Sequence, residues 1–364
     1  MDTMAEETIE VVKNTDSVKC KSCGSNMTFD PETQMLRCSY CGYAEDFSKS
    51  GKVEEISIEK ALGKNERWSS DTLVYNCGNC GARVVAEKGT TSGACPFCGT
   101  PHVVAEEDLE GIRPNVVVPF RLGKERITEI FKKWVKRRLF APRAFKKQAE
   151  ADKVKGVYMP FFTFDSNTDS VYEGRVGDEH TRTVTDSKGN THTEKYIVWR
   201  KVRGTFAHFF DDILISAGTH FEQKKADRLS PFDWASACVY ENKFLSGYVA
   251  RHYDRDIQSC WGDAKKLIDA KIREMIIDSC NCDRVDYMNI KTRHSDVTYK
   301  YVMLPVYVIS YSYKKKNYVI YANGNTGKIV GKTPVSPVRA TIAAVLGTGI
   351  VGLIIWLIYM FLTS

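Results

Sequence analysis

The stretch CKSCGSNMTFDPETQMLRCSYCG, Cys20 to Gly42, returns as CGNCGARVVAEKGTTSGACPFCG, Cys77 to Gly99. In both copies two CxxC pairs flank a gap of fourteen residues, and the copies stand at a constant offset of 57. Two cysteines three apart on a turn reach one side of a tetrahedral ion, and a hairpin between the pairs brings the other two to the opposite side. A glycine follows the second cysteine of each pair (Gly24, Gly42, Gly81, Gly99), where a tight turn lets backbone amides face the thiolates.

The pattern predicts two tandem four-cysteine zinc ribbons at 18–45 and 75–105, preceded by a tail at 1–17 and joined by a linker at 46–74. The expected ligands are Cys20, Cys23, Cys38 and Cys41 for one Zn2+ and Cys77, Cys80, Cys95 and Cys98 for the other. Four thiolates leave no position for water or substrate, so both ions would be structural. They would supply folding free energy that modules this small lack, on the order of 10–16 kcal/mol in comparable peptides. Iron in a rubredoxin-like site shares the ligand set and is the alternative occupant.

Metal-ligating thiols need a reducing compartment. The N-terminal MDTMAEETIEVVKN is acidic and has neither a basic leader nor an apolar core, which predicts that this end stays in the cytosol. With 364 residues, 43% hydrophobic and 27% charged, the chain has room for two or three domains. Its net charge of +7 is spread along the sequence and by itself names no partner.

Residues 106–333 read as a mixed helix and antiparallel-sheet region, with a subdomain break near 255–262. Apolar residues at helical spacing mark Lys124 to Phe140 (Ile127, Ile130, Phe131, Trp134, Val135, Leu139) and Gly262 to Asp278 (Leu267, Ile268, Ile272, Met275, Ile276). Strand patterns run through PNVVVPF, GVYMPFFTFD, SVYEGRV, KYIVWRKVRGTFAHFF, KYVMLPVYVISYSY and NYVIYANGNTGKIVG, with a hairpin expected at DSKGN, Asp186 to Asn190. After a spacer at 334–339, residues 340–363 carry no charge, and a helix of this length rises about 36 Å against a hydrocarbon core of about 30 Å. This predicts one C-terminal transmembrane helix. Lys328, Lys332 and Arg339 before it place the remainder at the inner face of the cytoplasmic membrane, as a single-pass tail anchor. The expected fold class is α+β: two ribbons, a mixed region and a membrane helix.

No catalytic constellation is legible, so no enzyme is expected. Gly347, Gly349 and Gly352 match GxGxxG inside an apolar helix rather than after a strand, and GNTGK (Gly324 to Lys328) lacks phosphate-loop spacing. The seven histidines form no ligand set, Cys238, Cys260, Cys280 and Cys282 read as ordinary thiols, and RHYDRD reads as a salt-bridged surface. The stretch Lys132 to Lys147 holds eight basic residues interleaved with aromatics. A solvated helix face, contact with anionic lipid and contact with nucleic acid all fit it.

The doubled cysteine unit, GVYMPFFTFD, FLSGYVARHYD, LPVYVISYSYKKKNYVIYANGNTGKIVG and the apolar C-terminus together resemble the bacterial TFIIB-type zinc-ribbon-containing membrane proteins, the YdjG-like family. The resemblance covers nearly the whole chain. It implies a membrane-anchored adaptor that docks cytosolic proteins, in envelope-stress assemblies with phage-shock (PspA-like) and stomatin-like scaffolds. A membrane-tethered nucleic-acid binder is the other reading. Charge separates them: from Cys20 to Cys41, Lys21 and Arg37 cancel Asp30 and Glu32, whereas nucleic-acid modules neutralise several phosphates.

Overall fold

The computed structural model describes residues 20–25, 27–46, 53–61, 72–76, 81–87, 97, 104–106, 112, 114–148, 154–185, 187, 191–219, 221–241, 244, 247–251, 253–314 and 316–363. The first cysteine unit forms a three-stranded antiparallel sheet of β1 (Met27–Asp30), β2 (Met35–Cys38) and β3 (Ala44–Asp46). The expected linker contributes β4 (Ile56–Ser57) and α1 (Ile58–Ala61). Around the second unit lie β5 (Thr72–Asn76), β6 (Arg83–Glu87) and β7 (Val104–Glu106), with β5 antiparallel to both of the others.

The remainder runs β8 (Val116–Val117), α2 (Lys124–Lys136), α3 (Arg143–Gln148), β9 (Val154–Thr185), β10 (Thr191–Ser216) and α4 (Gln223–Leu229). Then come β11 (Cys238–Val239), β12 (Val249–Ala250), α5 (Ile257–Ser279), β13 (Arg284–Tyr313), β14 (Lys316–Asn323), β15 (Ile329–Gly331) and α6 (Pro337–Thr363). Twelve of the strands among the described residues form one sheet, nearly all of it antiparallel.

That sheet corrects the α+β expectation. GVYMPFFTFD and SVYEGRV are not separate strands but parts of β9, whose 32 residues would span about 105 Å if straight. The register with β10 runs from Phe161↔Ser216 to Thr185↔Thr191, and that with β13 from Val154↔Ile309 to Gly177↔Arg284. β13 starts well before KYVMLPVYVISYSY, because Arg284 to Thr298 forms the outer part of a ribbon where exposed and half-buried positions predominate and Met288 alone is buried, in the core that α5 shares. Polar residues there do not interrupt a strand, although they hide its hydrophobic pattern. The structure is a mainly antiparallel β protein with helices laid against its base.

Burial along β9 shows where the core lies. Val157 to Ser166 is buried without interruption, and beyond Thr168 the pattern alternates and then opens to solvent. A strand buried on both faces needs two cores. On one face Tyr158, Phe162, Phe164, Tyr299 and Tyr301 pack with Ile268, Ile272 and Ile276 of α5. On the other, Val157, Met159, Phe161, Val302 and Leu304 pack with Leu229, Phe232, Ala82 and Phe97. Opposite Asp165 to Asn167 both neighbouring strands lose register, β10 between Phe210 and Ile213 and β13 between Ser295 and Thr298. Asp212 (φ 51°) and Asp296 (φ 50°) sit at these bulges in the left-handed region, which re-aims the side chains there.

α5 begins five residues before the expected boundary because Asp256 caps it, its carboxylate accepting from the Ser259 amide at 2.7 Å. RHYDRD is therefore not an open surface: Arg251 is fully buried, pairs with Asp254 at 3.3 Å and lies 4.7 Å from the Phe97 ring centroid.

Residues 340–363 are helical within α6, whose first turn is tied to the α2–α3 connection. The Ser336 amide donates to Phe140 O at 2.8 Å and Arg339 donates to Leu139 O and Ala141 O. Among the described residues, however, no helix is long and apolar enough to cross a membrane. The expected transmembrane helix is therefore not supported, and neither is the tail-anchored, single-pass placement at the cytoplasmic membrane that rested on it. The described apolar side chains of α6, among them Leu353, Ile355 and Phe361, are exposed.

Candidate metal centre

Cys20 and Cys23 stand on the turn before β1, while Cys38 ends β2 and Cys41 lies on the turn before β3, so the β1–β2 hairpin brings the two pairs together. The four Sγ atoms lie within 4.8 Å of one another, with Cys20 to Cys41 and Cys23 to Cys38 both at 3.5 Å. A disulfide would need about 2.05 Å. The edge of a tetrahedron of thiolates at about 2.3 Å from a shared ion is about 3.8 Å, close to what is seen. The arrangement is two-fold: each pair contributes one buried thiol, Cys20 or Cys38, and one exposed, Cys23 or Cys41.

Two matching turns build it. The Gly24 amide donates to Cys20 O at 2.9 Å and the Gly42 amide to Cys38 O at 3.0 Å, at φ 72° and 75°. A Cβ at either glycine would meet nothing within 4 Å, so backbone conformation and not space requires glycine there. Hydrogen bonds from the Ser25 amide and hydroxyl lower the Cys23 thiol to about 6. At Cys41 the Tyr43 amide pulls the same way, but sharing a proton with Cys23, together with burial, raises that thiol to about 11. A divalent ion at the centre of the cluster would favour the ionised form of all four thiols.

The unit is anchored to the main body. Met27, Phe29 and Leu36 are buried in the same core as Phe120 and Phe162, and Gln34 donates to Phe120 O at 2.8 Å. Its basic residues are paired nearby, Lys21 with Glu45 at 2.6 Å and Arg37 with Asp30 at 3.4 Å.

Cys77, Cys80, Cys95 and Cys98 lie outside the described residues. Of their unit, Gly81 repeats the left-handed glycine (φ 66°), Ala82 and Phe97 are buried, and β5 and β6 pair. Two assembled ribbons were expected, and one four-cysteine cluster is present among the described residues. Cys238 and Cys260 are buried apart from it, and burial pushes the Cys260 thiol up to about 12.

A second cluster escaped the sequence reading. Glu55, Asp165 and Asp211 bring one carboxylate oxygen each within 4.8 Å of the others, and Lys300 Nζ lies 3.0 Å from Glu55, 3.4 Å from Asp165 and 2.9 Å from Asp212. Separations of 46 residues and more leave no spacing signal. Burial raises the Asp165 carboxyl to about 6, against the Asp212 amide and Lys300, which pull it down. Burial works to lower the Lys300 ammonium, but bonds to Asp212 and Glu55 hold it above its ordinary value.

The chain is similar to the uncharacterized protein YdjG of Bacillus subtilis (strain 168), 31% identical over 335 residues that cover 90% of this chain and 92% of that one. The chain belongs to the YdjG family. No protein-family model matches it, so the TFIIB-type zinc-ribbon designation expected from the resemblance is not supported, and no solved structure matches either. Within the YdjG family, this chain's four clustered thiols are the feature that its geometry ties most directly to a ligand.

Proposed function

We propose that this YdjG-family chain is a zinc-stabilised adaptor that docks other proteins. Cys20, Cys23, Cys38 and Cys41 hold one structural Zn2+ and Cys77, Cys80, Cys95 and Cys98 a second. The observation that carries the reading is the closed thiolate cluster on a unit packed into the main core. Four sulfurs complete the shell of the ion, so it fixes a surface and offers no open position for chemistry. The pairing of Lys21 and Arg37 with Glu45 and Asp30 weighs against phosphate binding by this unit and in favour of a protein partner. Scaffolds of the phage-shock and stomatin-like kinds are the partners that the family resemblance implies.

Crosslinking in intact cells tests this, with the full chain compared with Cys23→Ser/Cys41→Ser. The expected result is a defined set of protein partners lost from the variant while its β-sheet signal by circular dichroism persists. Salt-sensitive binding of DNA or RNA by the full chain, abolished in the variant, would replace docking with a nucleic-acid role.

A further inference from the structure

The acidic cluster on β9 and its neighbours lies on the sheet face opposite α5, and cross-strand register assembles it. Lys300 pairs with Thr163 and Thr298 with Asp165, while Ile56 pairs with Tyr299 and so sets Glu55 beside Lys300. The β10 bulge supplies Asp211 and Asp212. Four carboxylates (Glu55, Asp165, Asp211, Asp212) face one ammonium, an excess of three negative charges around a carboxylate that is 1% exposed. Lys300 is shared among Asp212, Glu55 and Asp165, and the Thr298 hydroxyl and the Asp212 amide also donate to Glu55 and Asp165, whereas Asp211 has no contact with the ammonium among the ion pairs of the described residues.

An independent observation comes from Thr163. Its side chain is fully buried, and its Oγ1 has no hydrogen-bond partner among the described residues. It is two residues before Asp165 and therefore on the same face, directly across from Lys300, whose side chain runs to Asp165. A buried hydroxyl left without a partner costs about 1–3 kcal/mol unless something it can bind enters the site.

We infer that Glu55, Asp165 and Asp211, with the Thr163 hydroxyl beside them, form a binding site for a hard divalent cation such as Ca2+ or Mg2+. All the donors are oxygens, which suit these ions and not the thiophilic metals that the cysteines take. Asp212 retains Lys300 when the ion enters, and the cation supplies the charge that one ammonium leaves uncompensated.

Calorimetric titration of the zinc-loaded full chain with Ca2+ and with Mg2+ tests the site. The expected result is one saturable equivalent for at least one of the two ions. Affinity should fall about tenfold or more in Asp211→Asn, an exposed position whose change leaves the core untouched, and fall again in Thr163→Val. Tb3+ luminescence with the same variants gives a second reading of the same site. Absence of saturable binding of either ion in the millimolar range, or equal affinity in the wild type and Asp211→Asn, would overturn the inference.

Discussion

The ring of Phe29 meets that of Phe244 edge to face, with centroids 5.8 Å apart. Phe29 stands on β1 between the two cysteine pairs, so this contact ties the thiolate hairpin to the segment leading into β12. Such a pair contributes about 0.5–1.5 kcal/mol beyond the area it buries. Phe29→Ala, which also opens a cavity, is expected to cost about 3–5 kcal/mol in denaturant unfolding. Because the hairpin and the core share side chains, the same substitution should weaken retention of zinc against a competing chelator. Unchanged retention would mean that the unit folds independently of the core.

Metal content separates the two cysteine units. Protein purified without chelator should hold two zinc ions per chain by elemental analysis, Cys38→Ser should hold one, and the wild type stripped by chelator should lose thermal stability across the main transition. The loss extends beyond the hairpin because Cys20 and Cys38 are buried in the principal core.

Lys300 is the sole cation that pairs with Glu55, Asp165 and Asp212 among the described residues. Lys300→Met leaves Asp165 buried without its counter-charge and is expected to destabilise by about 3–5 kcal/mol. Adding Asp165→Asn should recover part of that loss, and a double-mutant cycle by chemical denaturation measures the coupling.

The pH dependence follows from opposite shifts in one cluster. The Asp165 carboxyl is raised from 3.8 to about 6, so its contribution is fully present below 3.8 and is lost as pH rises through about 6. The Glu55 carboxyl is lowered, chiefly by Lys300 against the effect of burial, so its contribution is present above 4.5 and is lost as pH falls further. Between pH 4 and pH 6, Asp165→Asn should therefore remove a decline in stability that the wild type shows, in paired denaturation series over that range.

Some of this was legible in local chemistry. The CxxC spacing and the glycines after it marked the thiolate cluster, because a metal knuckle is built from contiguous residues whose turn geometry is local. The helical periodicity of Ile127, Phe131 and Val135 marked α2, and all three are buried. What misled was interrupted pattern. β9 changes from doubly buried to solvated along its length, so its hydrophobic signal appeared as two strands. The uncharged run at 340–363 has the length of a span, whereas among the described residues no helix is long and apolar enough to cross a membrane.

The sequence by itself determined which four cysteines gather, Cys20, Cys23, Cys38 and Cys41, the positions where the backbone turns left-handed behind them, and the helical faces, since each depends on neighbours within a few residues. The tertiary structure alone decided that the first cysteine unit is part of the main core, that three long strands form one ribbon, and that Glu55, Asp165, Asp211 and Lys300 meet. Those contacts join residues 46 to 245 positions apart, through strand register and two bulges. Register is fixed by the burial of whole faces and not by any short motif.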